Sequence, residues 1–134
     1  MPVAEYQGLE VLVLDDEPIV CKTLKTSLGK LGFSVETFED PELAIARITE
    51  KDFDIVVTDV VMGDIDGIQV LEHVREKSTR TKVIIMTAFA MMETARRAME
   101  KGAFDFIAKP FYSAEIRKMV SRAADALREE PPGS

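Results

Sequence analysis

Short apolar runs and longer amphipathic stretches alternate along the chain, and the change of period between them predicts its elements. Leu9–Leu14 (LEVLVL) is an apolar run of strand length that stops abruptly at Asp15-Asp16-Glu17-Pro18. From Ile19 the period turns helical, with Val20, Leu24, Leu28 and Leu31 on one face. Pro18 suits the first turn of that helix and Gly32 a left-handed residue after its end. Ser34–Phe38 predicts a short strand. Asp40 predicts an N-cap, followed by Pro41 and an inward face of Ala44, Ile45 and Ile48. The alternation continues with a strand at Asp54–Asp59, a helix at Gly67–Arg75 and a strand at Lys82–Thr87. A helix over Met92–Lys101 follows, with Ala95, Ala98 and Met99 inward, then a strand at Ala103–Ala108. Ser113 is expected to cap a last helix striped with Ile116, Met119, Val120, Ala123 and Leu127. Residues 129–134 cannot continue it and predict a tail or linker, so residues 1–128 are expected to form one domain.

Five strand–helix units of this kind predict an α/β fold. Strands apolar throughout, joined by helices, require a parallel sheet covered on both faces. Right-handed crossovers favour a doubly wound (βα)5 sheet of order 2-1-3-4-5, the flavodoxin-like arrangement.

Composition narrows the class. The chain has 134 residues, 46% hydrophobic and 31% charged, a globular balance with enough length for one sizeable core. A single cysteine, Cys21, excludes an internal disulfide framework and a cysteine-rich zinc site and suits a reducing cytosol. No apolar run reaches the roughly 20 residues of a membrane span, and the first residues lack the pattern of a signal peptide. A cytoplasmic location is therefore expected. The net charge of −7 argues against nucleic-acid contact by this domain.

In open α/β sheets ligands sit beyond the carboxyl ends of the strands, so the residue closing each apolar run matters most. Strand one closes with Asp15-Asp16, strand three with Asp59 and strand four with Thr87, while Lys109 follows strand five. The order 2-1-3-4-5 brings the acidic ends together at the switch point. Crowded carboxylates favour a cation or a proton, and hard oxygen ligands suit Mg²⁺. Lys109 and Thr87 supply a positive charge and a hydroxyl for a phosphoryl group, and a carboxylate such as Asp59 can act as the nucleophile that receives one.

The segments VLVLDDEP, TDVVMGDIDG, MTA and KPF resemble the receiver domains of two-component response regulators over nearly the whole chain, Leu9 to Leu127. The resemblance implies that Asp59 is the phosphoacceptor and that Asp16, Asp59 and the backbone carbonyl of Val61 bind Mg²⁺, with Asp15 acting through water. It implies that Thr87 and Lys109 bind phosphoryl oxygens, that Phe106 is the aromatic switch partner of Thr87, and that Lys109-Pro110 is a cis peptide. The implied phosphodonor is a histidine kinase or phosphotransfer protein. The implied output is a changed surface on helix 4, strand 5 and helix 5 that controls a partner or fused domain, with a homodimer as a further candidate partner. MTAFA and KPF look most like receivers fused to transcriptional activators or sensor kinases. Such a domain catalyses its own modification and is not a turnover enzyme. Gly63 departs from the usual proline of the acceptor loop and frees its backbone. Val61 and Phe89, apolar at the two positions flanking the path of hydrolytic water, imply slow self-dephosphorylation.

Other readings lack their residues. A Mg²⁺-dependent aspartyl-phosphate phosphohydrolase would need a carboxylate two positions beyond Asp59, where Val61 stands. A flavodoxin-type phosphate loop would need Ser, Thr or Gly where Asp-Asp-Glu-Pro stands, and an inert interaction module would have lost one of the four site residues. Asp66 is expected to cap helix three and Asp64 to lie in a solvated turn. His73 is expected at the surface and Cys21 in packing. Met86, Met91, Met92 and Met99 are expected as core or rim filler.

Overall fold

The computed structural model describes residues 5–60, 66–88 and 92–130. The elements are β1 (Glu10–Leu14), α1 (Pro18–Gly29), β2 (Ser34–Phe38), α2 (Pro41–Glu50), β3 (Ile55–Asp59), α3 (Gly67–Lys77), β4 (Lys82–Ala88), α4 (Met92–Glu100), β5 (Asp105–Lys109) and α5 (Ser113–Glu129). The strands form one parallel sheet in the order β2-β1-β3-β4-β5, as the alternation predicts.

The strands read as continuously apolar because each face of the sheet has its own core. Val11, Val13, Ile55, Val57, Ile84, Met86 and Ile107 are buried together with Leu24 and Leu28 of α1 and Ile116, Val120, Ala123 and Leu127 of α5. Residues of the other parity, Leu12, Leu14, Val56, Val83 and Ile85, are buried with Ala44 and Ile48 of α2, Ile68, Leu71 and Val74 of α3, and Ala98 of α4. Period-two alternation thus sorts the sheet between one helical layer of α1 and α5 and another of α2, α3 and α4.

Local signals mark most boundaries. The Asp40 carboxylate accepts the N–H of Glu42 ahead of Pro41, and Asp66 and Gln69 form a reciprocal capping box at α3. Gly32 and Gly102 take φ values of +101° and +103° just beyond α1 and α4, where a side chain would be strained.

Three expectations need correction. Met99 is 38% exposed rather than inward, because Ala95 and Ala98 already fill the space beneath α4. Ser113 is the first residue of α5 rather than its cap; Tyr112 holds the cap position, where its N–H donates to the Glu115 carboxylate at 2.9 Å. Strand β5 starts at Asp105, two residues later than the apolar run, because the N–H of Ala103 still closes the end of α4 on Ala98 O. Asp64, Met91 and Gly63 lie outside the described residues. Cys21 is buried, His73 is exposed and Met86 is in the core, each as expected.

The β2 edge is secured by ions rather than by burial. Arg47 of α2 grips Glu36 with two hydrogen bonds of 2.8 and 3.1 Å, and Lys51 adds contacts to Glu36 at 2.8 Å and Glu10 at 2.6 Å. The Arg47 and then the Lys51 hydrogen bonds lower the Glu36 carboxyl to about 2 from its ordinary 4.5. A depressed carboxylate contributes stability above its unfolded pKa and loses it as pH falls toward the folded one. Glu36→Gln is therefore expected to cost about 1 kcal/mol at pH 7, after discounting for solvent screening at this half-buried edge. The gap from wild type should close between pH 4.5 and about 2. Urea unfolding of both proteins across that window checks this.

Candidate functional site

The carboxyl ends of β1, β3 and β5 meet around one ammonium group. Lys109, at the end of β5, places Nζ 2.7 Å from Asp15 Oδ2, 3.1 Å from Asp59 Oδ2 and 3.4 Å from Glu17 Oε1. Asp15, Asp59 and Lys109 share the parity of Val13, Val57 and Ile107, so all three rise on the α1/α5 side of the sheet. The Lys109-Pro110 peptide is cis, as the motif implies.

The carboxylates differ in environment. Asp15 is fully buried and also accepts the Glu17 N–H at 2.9 Å. Burial raises its pKa, against the opposing pull of the Lys109 ammonium and the Glu17 N–H. For Lys109 burial acts against the charge, but Asp15 and then Asp59 outweigh it and hold the ammonium above the ordinary lysine range. Asp16 is exposed at the start of the next turn. Asp15, Asp16 and Glu17 each bring a carboxylate oxygen within 4.8 Å of one another, an all-oxygen donor set that fits a hard divalent cation. Val61, the implied carbonyl ligand, and Phe89 lie outside the described residues.

Asp59 is nearly buried, yet it opens onto a cavity of about 550 Å³ whose walls include Ile19, Val20, Leu24, Pro110 and Phe111 beside Glu17 and Lys109. A side chain sealed in the core could not meet a second reactant; this one can. Its position is fixed from below. The Val60 N–H donates to Met86 O at 3.0 Å and the Gly67 N–H to Val60 O at 2.9 Å, which ties the end of β3 to β4 and to the first turn of α3.

The structure brings Asp15, Asp59 and Lys109 together, with Asp16 beside Asp15, and Thr87 follows Met86, the partner of Asp59, on the adjacent strand. Thr87 is fully buried, donates its hydroxyl to Ala88 O at 3.2 Å, and shares the parity of Val83 and Ile85 beneath α4. Phe106 pairs with Ile85 across β4 and β5 and is half-buried against that same core. Thr87 and Phe106 are therefore diagonal neighbours on one face. The residue overlooked in the sequence is Glu17. It reads as part of a turn, and only the fold shows its carboxylate at Lys109.

Gly67 is needed where it stands, because a Cβ there would lie 2.6 Å from Asp59 O and 2.9 Å from Val60 Cα, both backbone atoms. Gly67→Ala is expected to cost about 1–3 kcal/mol by forcing the end of β3 aside. Thermal unfolding measures that cost, and a shifted Asp59 amide resonance reports the displacement. Lys109→Met should also destabilise, by about 2 kcal/mol, because it strands the buried Asp15 charge. Adding Asp15→Asn to it should recover most of the loss, in a double-mutant cycle read by urea unfolding.

Residues 11–121 match the family model described as the response regulator receiver domain. The chain is 38% identical over 113 residues to the regulatory protein AtoC of Escherichia coli, covering 84% of this chain and 24% of that protein. It is 33% identical over 121 residues to the transcriptional regulatory protein ZraR of Salmonella typhimurium, covering 90% of this chain and 27% of that protein. The chain thus spans about a quarter of the length of these relatives. A crystal structure of a response regulator receiver domain protein from Clostridium thermocellum superposes with a TM-score of 0.84 at 26% identity, covering 90% of this chain and 97% of that one. A CheY-like receiver domain protein from Methanospirillum hungatei shares the fold, with a TM-score of 0.86 at 23% identity over 92% of this chain and 98% of that one. With the strand order, the acidic strand ends and the lysine between them in place, these matches make the chain a member of the receiver domain family of two-component response regulators.

Proposed function

We propose that Asp59 is the acceptor of a phosphoryl group in signal transduction. The observation that carries this is Lys109 Nζ within 3.1 Å of both Asp15 and Asp59 at the mouth of the cavity, which sets a nucleophilic carboxylate beside a fixed cation. An Asp59 oxygen attacks phosphorus as the bond to the leaving group breaks. Lys109 then exchanges its bond with Asp59 for one with a phosphoryl oxygen, which neutralises charge without a new ion having to be recruited.

Asp16 and Asp59, with the Val61 carbonyl, are the proposed holders of Mg²⁺, and Asp15 would act on the ion through water. Bound there, the ion would neutralise charge on the phosphoryl oxygens. The donor is a histidine kinase or phosphotransfer protein, and the product is 4-aspartylphosphate within a phosphorelay. The modified site adds about −1.5 to −2 charges. Thr87 then gives up its bond to Ala88 O for a phosphoryl oxygen, and Phe106 moves into the vacated space. That repacking shifts the population of the α4–β5–α5 surface toward a second state. The surface signals to a fused output domain or partner beyond residue 128, or to a second copy of the chain.

Incubation with acetyl phosphate and Mg²⁺ is expected to add one phosphoryl group, seen as a mass increase, that hydroxylamine releases. Asp59→Asn or a chelator should abolish it. Thr87→Ala should still be labelled, but the shifts that labelling causes in α4 and β5 resonances should be lost. Retention of those shifts would contradict the switch. The label should also persist for minutes rather than seconds in wild type.

A further inference from the structure

Glu17 occupies the cap position of α1 with extended backbone, φ −95° and ψ 112°, yet its side chain makes no capping bond. Ser, Thr, Asp or Asn would serve the helix better there. The carboxylate instead turns to the ammonium of Lys109 at 3.4 Å, the third acid on that cation after Asp15 and Asp59. Its side chain is 60% exposed, and it stands in the wall of the same cavity through which Asp59 is reached. Much of that wall is apolar, and low-dielectric walls concentrate the field of the few charges set in them.

We propose that Glu17 is a positioning residue that grades phosphodonors by their charge. Building on the reading of Asp59 as acceptor, its carboxylate holds Lys109 back from the incoming phosphoryl oxygens and repels anionic donors at the cavity mouth. In the reaction with acetyl phosphate the bond from Asp59 oxygen to phosphorus forms, the phosphorus–oxygen bond to the acetyl group breaks, and acetate leaves. With phosphoramidate the phosphorus–nitrogen bond breaks, the nitrogen keeps its pair and leaves as ammonia. Acetyl phosphate carries more negative charge near neutral pH, so Glu17 should oppose it more.

The test is the initial rate of Asp59 labelling in wild type, Glu17→Gln and Glu17→Ala, with each donor, at low salt and at about 1 M salt. Both variants should raise the acetyl phosphate rate about threefold at low salt and the phosphoramidate rate less, and high salt should erase the difference. Melting temperatures should move little, since the side chain makes no helix-capping bond and its 3.4 Å ion pair with Lys109 is solvent-exposed on the Glu17 side. A merely structural role would move both donors alike and ignore salt. Equal rates, a fall in rate, or a rise independent of donor and salt would overturn the proposal while leaving Asp59 as acceptor. Failure of wild type to label with either donor would overturn both.

Discussion

A single ammonium group set among buried carboxylates is the constraint on which the rest depends. Asp15 is fully buried at the end of a central strand, and an unpaired charge there would carry a large desolvation cost. Lys109 supplies the counter-charge from β5, two strands beyond β3, by reaching across the end of β4. The pair is therefore a tertiary bond between sequence-distant strand ends as well as a chemical site. Its cation lies within 3.1 Å of both Asp15 and Asp59.

The scaffold can hold this arrangement because the sheet is packed on both faces. Residues of one parity are locked under α1 and α5, and those of the other under α2, α3 and α4. The strand ends inherit that rigidity, and the ligand-facing groups stand at the carboxyl edge where backbone packing ends. The same parity rule separates two sets of strand-end residues. Asp15, Asp59 and Lys109 share the side of α1 and α5, while Thr87 and Phe106 share the side of α4. Thr87, at the end of β4, is the residue of the second set that lies next to the strand carrying Asp59.

Residues that break local rules gather around the site. Glu17 takes a cap position without capping, Gly67 opens α3 because the backbone of Asp59 lies 2.6 Å from where its Cβ would be, and Asp15 is a buried acid. Such departures from local preference are expected where function competes with stability. Elsewhere the chain follows its local signals, as at Asp40, Asp66, Gly32 and Gly102.

The sequence by itself determined the elements, their order and the motif. Strand and helix periods, Pro and Gly punctuation and helix caps act over a few residues, and the crossover rule leaves few sheets for five such units. It also supplied Asp15, Asp16, Asp59, Thr87 and Lys109, since each closes or follows an apolar run. What it could not determine was anything that needs two distant segments to be placed together. Glu17 looks like a turn residue until the fold sets it beside Lys109, 92 positions away. Met99 looks inward until Ala95 and Ala98 are seen to fill the space, and β5 begins late because the end of α4 claims Ala103. Thr87 reads only as a strand-end hydroxyl until the register sets it one residue past Met86, the partner of Asp59. The division follows the range of the forces: backbone preference and periodicity are written locally, whereas ion pairing, burial and steric exclusion depend on neighbours that only tertiary packing supplies.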